Sequence, residues 1–194
     1  LAELYLLTGK DAHKKTLAGI RERFLSVDRE PAAEDTLQPA FLRARAAAAT
    51  GDYAKAESIL RPLSAANPIG EASLETGLLL RTMGRRAESR RALQQVFAGD
   101  TGSASARQVL LVARAARALG RFEDANALFR DAVAMAPTDP VINAEWGELF
   151  LEKYDAPQAL KELEAVLREN QNHPRALLGK AQAFDFQATF GALD

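Results

Sequence analysis

The fold is decided by the segment Gly120-Arg121-Phe122-Glu123-Asp124-Ala125, which is followed by Phe129, Ala132 and Pro137. A similar order of residue types recurs in three other places, although the last copy lacks the glycine and two copies have Thr101 and Gln171 in place of the proline. Consecutive copies are 33, 36 and 34 residues apart, measured at the small residue that ends each segment: Ala56, Ser89, Ala125 and Ala159. A glycine permits a tight turn, spaced apolar residues give a buried helix face, and a proline ends a helix. This period predicts stacked helical repeats.

The amino-acid composition favours helices throughout. The 194 residues include 39 Ala and 27 Leu, but only 7 Val and 4 Ile. Ala and Leu are strong helix formers, whereas β-branched residues favour strands. Since small side chains let helix backbones approach one another, the Ala content also predicts close helix contacts. We therefore expect an all-α chain.

The period and the residue types resemble the tetratricopeptide repeat (TPR) family, whose 34-residue motif forms two antiparallel helices, A and B. In the segment 106–139, the small motif positions 8 and 20 fall on Ala113 and Ala125, and position 24 falls on Phe129. In the segment 140–173, motif positions 7, 8 and 11 are occupied by Trp146, Gly147 and Phe150. The resemblance implies an α-α superhelix, a right-handed solenoid of antiparallel helix pairs.

The motif alignment predicts how the chain is organised. A partial N-terminal repeat with an inserted loop is expected at 1–36, and a partial repeat at 174–194. Between them, four repeats are expected at 37–70, 70–103, 106–139 and 140–173. Tyr154 stands where the other repeats have their turn glycine. Because both ends fall inside a repeat, we expect the chain to be part of a longer protein.

The sequence contains few residues that could take part in catalysis. The chain has no Cys, which excludes a thiolate nucleophile and Cys-ligated zinc. Its two histidines, His13 and His173, are far apart in a linear array whose repeats contact mainly their neighbours. Glu145, Glu148 and Glu152 share one helix face, which we interpret as a solvated face and not as a metal site. The sequence therefore predicts no enzyme, no metal site and no cofactor.

Protein binding is the remaining function, and the resemblance implies where it occurs. TPR arrays bind partners in a concave groove lined by helix A, at motif positions 2, 5, 9, 12 and 13. Transferred to this sequence, the predicted groove consists of Phe41, Arg45, Leu74, Leu78, Arg81, Arg107, Leu110, Arg114, Arg117, Glu148, Leu151 and Glu152. The arginines are expected to pair with acidic groups of the partner, and the apolar residues to contact its apolar side chains. Chaperone-binding members have Lys and Asn where this chain has Phe41 and Arg45, which argues against a chaperone clamp.

The net charge of −1 conceals an uneven distribution. Residues 1–121 carry 19 basic and 13 acidic side chains, whereas residues 122–194 carry 6 and 13. This polarity could orient a peptide or a second copy of the chain, or it could reflect drift in the charge of solvated helix faces. The arginines between Arg81 and Arg91 have no interleaved aromatic residues, so we predict no nucleic-acid binding. No apolar run is long enough for direct membrane insertion.

The leading hypothesis is a non-catalytic scaffold for protein–protein interaction. One alternative is an accessory TPR domain of a larger bacterial enzyme or of a secretion or assembly protein. Another is a self-associating module that forms a homodimer through its C-terminal helix. The apolar residues of that helix are Leu177, Leu178, Phe184, Phe186 and Phe190. The sequence predicts neither the partner nor the compartment.

Overall fold

The computed structural model describes residues 37–99, 101–102 and 104–191. The predicted N-terminal partial repeat with its inserted loop, 1–36, lies outside the described residues. Among the described residues there are helices, turns and bends but no strands, so the all-α prediction is confirmed for this part of the chain.

The chain divides into two compact units between Val96 and Phe97, a division that the repeat pattern did not predict. The helices of the N-terminal unit are α1 (Leu37–Ala49), α2 (Tyr53–Ala66), α3 (Glu71–Thr82) and α4 (Arg86–Phe97), the last of which ends one residue past the division. The helices of the C-terminal unit are α5 (Ala106–Ala118), α6 (Phe122–Met135), α7 (Pro140–Leu151), α8 (Ala156–Glu169) and α9 (Pro174–Gly191). Odd-numbered helices correspond to helix A of the motif, and even-numbered helices to helix B.

Each complete helix pair is joined by a short turn that needs a left-handed backbone. Gly51, Gly84 and Gly120 have φ values of +81°, +77° and +75° at this turn. In the last pair Tyr154 adopts φ +59°, which is costly for a residue with a side chain. The predicted replacement of a turn glycine by Tyr154 therefore keeps the same backbone conformation.

Local sequence also fixes where helices begin. The Asp52 and Asp155 carboxylates accept hydrogen bonds from the backbone N–H groups of Lys55 and Gln158, which caps α2 and α8. Ser105 forms a reciprocal capping box with Gln108 at the start of α5. These caps satisfy backbone N–H groups that have no partner inside the helix.

Small residues set the distance between the helices of a pair. Ala56, Ser89, Ala125 and Ala159 are all buried, as expected for motif position 20. A Cβ atom on Gly77 would lie 2.7 Å from Leu93 Cγ, and one on Gly147 would lie 2.8 Å from Leu163 Cγ. In these two pairs, helix A therefore lies against a leucine of helix B where only glycine fits.

The core of each unit forms between such pairs. In the N-terminal unit, Phe41 and Leu60 pack with alanines of α1, α2 and α3. In the C-terminal unit, Phe129 of α6 and Leu163 of α8 are completely buried at the centres of two apolar clusters. This packing fixes the rotation of each helix A about its axis, and with it the direction of its polar side chains.

Candidate functional site

The polar residues of helices α5, α7 and α9 form a continuous set of ion pairs in the C-terminal unit. We call this set the Arg–Glu ladder, and its members are Arg114, Arg117, Glu145, Glu148, Glu152 and Arg175. Successive members come from neighbouring A helices, so the ladder ties three repeats together. Its three arginines and three glutamates cancel in charge.

Arg114 of α5 and Glu145 of α7 form the most buried pair of the ladder. Arg114 Nε donates to Glu145 Oε2 at 2.7 Å, and Arg114 Nη2 donates to Glu145 Oε1 at 2.6 Å. Two parallel bonds of this kind are the strongest geometry for an arginine and a carboxylate. Glu145 keeps only 5% of its surface exposed, so this interaction lies largely out of solvent.

The other two arginines extend the ladder on both sides. Arg117 Nη1 donates to Glu148 at 3.2 Å, while Arg117 Nε and Nη2 donate to Glu152 Oε1 at 2.9 and 2.7 Å. Arg175 of α9 donates through Nε and Nη2 to the two oxygens of Glu148, both at 2.9 Å. Arg175 Nη1 also donates to Glu145 Oε1 at 3.4 Å, so Arg175 contacts both Glu148 and Glu145.

The ladder favours the charged forms of Glu145 and Arg117. Burial by itself raises the pKa of Glu145, but the hydrogen bonds and charge of Arg114, together with the charges of Arg175 and Arg117, hold that pKa below its ordinary value. Burial likewise opposes the charge of Arg117, yet the carboxylates of Glu152 and Glu148 raise its pKa above the ordinary value. The result is a charged but internally neutral surface on the A helices.

The N-terminal unit contains an ion pair of the same kind between neighbouring A helices. Arg45 of α1 pairs with Glu75 of α3, and both side chains are largely shielded from solvent. In each unit a basic residue at motif position 9 of one helix A binds a glutamate at position 6 of the next, since Arg114 and Glu145 hold the same positions. The sequence carried a signal for this pairing, because the partners are 30 and 31 residues apart.

Two family models, each described as a tetratricopeptide repeat, match the sequence. One matches residues 41–85 and 74–140, and the other matches residues 116–183. The chain belongs to the tetratricopeptide repeat family. The TPR resemblance inferred from the sequence and the predicted fold class, an all-α helical repeat, are thereby confirmed.

Solved structures, among them a TPR protein, resemble this chain in fold. TTC0263, a thermophilic TPR protein of Thermus thermophilus, aligns with a TM-score of 0.62 and 21% identity over 94% of each chain. The Cut9–Hcn1 hetero-tetramer of the APC/C aligns with a TM-score of 0.51 and 15% identity, over 75% of this chain and 29% of that one. No curated protein matches the sequence. At these identities the likeness shows the fold and nothing more.

Most of the predicted apolar groove residues pack inside the units. Phe41, Leu74, Leu110 and Leu151 are all buried, and Leu74 keeps only 1% of its surface exposed. The contact of these four side chains with a partner stays a prediction. Only Leu78 of the predicted apolar groove residues is partly exposed.

The charged residues of the predicted groove fall into two groups. Arg81 and Arg107 are exposed on the A helices α3 and α5. Ion pairs between neighbouring A helices hold the other five, which are Arg45, Arg114, Arg117, Glu148 and Glu152. The interpretation of Glu145, Glu148 and Glu152 as a solvated face is wrong for Glu145, which is buried against Arg114.

The C-terminal helix α9 is only partly covered. Ala176, Gly179 and Ala183 lie on its inner face, and Phe186 packs against Tyr154 with ring centroids 5.1 Å apart. Phe186 of the predicted self-association surface is therefore only partly exposed, and the side chain of Phe190 lies outside the described residues. The remaining apolar residues are exposed, with fractions of 46%, 59% and 51% for Leu177, Leu178 and Phe184.

The described residues contain neither a metal-binding cluster nor a membrane-spanning helix. Within 37–99, 101–102 and 104–191, no cluster of three or more His, Cys, Asp or Glu could hold a metal ion. Over the same ranges, no helix combines the length and apolar character needed to span a membrane.

Proposed function

We propose that this TPR chain is a non-catalytic scaffold that binds a protein or peptide partner on the A-helix faces. The observation that carries the proposal is its membership in a repeat family combined with A helices that present ordered charged side chains. Arg81, Arg107 and Glu152 are the exposed residues of the predicted groove, and Leu78 is partly exposed. This set is smaller than the motif alone predicts.

The Arg–Glu ladder limits what the partner can be in the C-terminal unit. A carboxylate of a partner would have to displace Glu145, Glu148 or Glu152 from an arginine that is already paired. Each displaced carboxylate would need new hydration, so simple attraction of an acidic peptide gains little there. We infer that the ladder itself would recognise a partner by shape and hydrogen bonds more than by net charge.

The test is affinity capture with the full chain from its native host, followed by quantitative mass spectrometry. The variant Arg81→Glu/Arg107→Glu reverses the two exposed groove arginines, whereas reversal of Arg114 would place a carboxylate against buried Glu145. Arg130→Glu/Arg168→Glu is the matched control, because it reverses two exposed arginines on the B helices α6 and α8.

The expected result is loss of the partner from the groove variant and retention by the control. Equal capture by both variants and the wild type would show that the A-helix faces do not hold the partner. Circular dichroism of both variants checks that the helices remain intact.

Two further predictions from the sequence stay open. Fusion to a larger enzyme or to a secretion or assembly protein is tested by the full reading frame. Homodimer formation through α9 is supported by the exposure of Leu177, Leu178 and Phe184. Light scattering at high protein concentration tests it, and a monomer under those conditions would exclude the dimer.

A further inference from the structure

A second charged surface lies on helix B of the N-terminal unit. Arg86, Ala87, Arg90, Arg91 and Gln94 line a shallow concavity of about 470 Å³ on α4. We call this surface the α4 basic patch. It is separate from the A-helix faces, since the opposite side of α4 is buried through Ser89, Leu93 and Val96.

The three arginines of the patch have no carboxylate at ion-pair distance in the described part of the chain. The nearby acidic residues are already engaged: Glu57 binds both Arg61 and Arg85, and Glu88 binds Arg85. Arg85 holds Glu88 through two nitrogens, at 2.8 and 2.6 Å. Residues 37–96 carry nine basic and five acidic side chains, so this imbalance extends through the described N-terminal unit.

The patch is unfavourable for the helix that carries it. Arg86 is the first residue of α4, where the positive end of the helix dipole disfavours a cation. Arg86 and Arg90 are four residues apart and therefore repel each other on the same face. Arg91 is attracted by the charge of Glu88 without an ion pair at contact distance, whereas the arginines of the Arg–Glu ladder are each paired at contact distance. An anionic ligand would relieve both kinds of repulsion.

The dimensions of the patch favour a short acidic protein segment. Arg86 and Arg91 are separated by about 7.5 Å along the helix axis, from the rise of 1.5 Å per residue. That span suits two or three successive carboxylates, and arginine binds carboxylates in bidentate geometry. Strong nucleic-acid binding needs more phosphate contacts than three arginines provide, or aromatic side chains on which bases can stack. Apart from the arginines, only Ala87 and Gln94 line the concavity, and neither is aromatic.

We propose that the α4 basic patch is a docking surface for an acidic segment of a partner protein, held by Arg86, Arg90 and Arg91. This site is additional to the A-helix faces, so the chain would hold two protein segments at once. The two sites are tested independently, because each has its own variants and its own ligand.

Fluorescence anisotropy with a labelled hexaglutamate peptide tests the proposal on the full chain. The wild type is expected to bind it at low salt and to lose affinity as salt screens the charges. Arg86→Gln/Arg90→Gln/Arg91→Gln is expected to lower the affinity at least tenfold. The matched control, Arg130→Gln/Lys153→Gln/Arg168→Gln, removes three exposed charges elsewhere and should bind as the wild type does.

A second variant keeps all three arginines in place. Ala87→Glu introduces a carboxylate inside the concavity, four residues before Arg91, where it can pair with that arginine. It should also lower hexaglutamate affinity, and its folding is checked by circular dichroism.

Three results would overturn the proposal. The first is the absence of hexaglutamate binding to the wild type. The second is an equal loss of affinity in the control triple variant, which would assign binding to net charge alone. The third is tighter binding of a mixed-sequence single-stranded oligonucleotide than of hexaglutamate, which would make the patch a nucleic-acid site.

Discussion

The charge of Glu145 is predicted to contribute a measurable part of the stability of this protein. Glu145→Gln keeps the size of the side chain but replaces one carboxylate oxygen with an amide NH₂ group. Arg114 donates to both carboxylate oxygens, so in the variant one of its N–H groups faces another donor. The substitution therefore removes one charge-assisted hydrogen bond and the attraction of three arginines, without opening a cavity.

The expected magnitude follows from the burial of the pair. A hydrogen bond to a charged group contributes about 1.5–3 kcal/mol, and breaking a fully buried ion pair costs about 3–5 kcal/mol. Arg114 keeps 27% of its side-chain surface exposed, and the introduced Gln still accepts one hydrogen bond. We therefore expect Glu145→Gln to lower the free energy of unfolding by about 2 kcal/mol. For a chain of this length, that loss lowers the Tm by about 4–8 °C.

A double-mutant cycle separates this interaction from other effects of the substitutions. Thermal unfolding is measured for Glu145→Gln, Arg114→Met and the double variant, with an expected coupling of about 1–2 kcal/mol. The exposed pair Lys180–Glu164, with Nζ 2.9 Å from Oε1, is the control and should show a smaller coupling. A coupling at Arg114–Glu145 no larger than the control would refute the conclusion that the ladder stabilises the unit.

The pH dependence has a defined direction. Since the pKa of Glu145 is lowered in the folded state, its contribution is complete above the unfolded value of about 4.3 and is lost as the pH falls through the folded pKa. The stability difference between the wild type and Glu145→Gln should therefore shrink in acid. A difference that persists unchanged at low pH would mean that packing, and not charge, causes the loss.

The remaining predictions concern the small residues that define the repeat. Gly120→Ala should destabilise the protein by about 1 kcal/mol in urea denaturation, because φ +75° strains a residue with a Cβ although that Cβ meets no atom within 4 Å. Gly147→Ala should lower the Tm by overpacking against completely buried Leu163, with a net loss of about 1 kcal/mol after the gain in helix propensity. Ser89→Ala should cost about 0.5–1.5 kcal/mol in urea denaturation, because its Oγ donates to the Gly77 carbonyl at 2.7 Å. A neutral Gly120→Ala or Gly147→Ala, or a loss above that range for Ser89→Ala, would contradict these assignments.

Much of the local structure could be predicted because it depends on residues close in sequence. The turn needs a left-handed residue, so three glycines mark it, and the spacing alone places Tyr154 at the fourth turn. The buried small residues, among them Ala125 and Ala159, follow from the same period. Backbone conformation and helix periodicity are local properties, and they carry the family assignment.

The candidate site was harder to predict because exposure depends on neighbouring helices. Helical periodicity gives the angle of Leu74 or Leu151 around its helix axis, but not which sector of that axis other helices cover. For the same reason the sequence predicted that the glutamate face of α7 is solvated. Glu145 is buried because α5 brings Arg114 against it, and its partner lies 31 residues earlier in the sequence.

The ladder also offers a rule for interpreting groove arginines in a TPR chain. Arg45, Arg114 and Arg117 each have a glutamate 30 or 31 residues later, and each pairs with it. A groove arginine with a glutamate at that spacing is therefore better interpreted as a support that holds successive A helices together than as a contact to a partner. Motif position alone does not separate these two roles, and a contact of Arg45, Arg114 or Arg117 with a partner stays a prediction. The exposure of Arg81 and Arg107 then makes them the groove arginines to vary first.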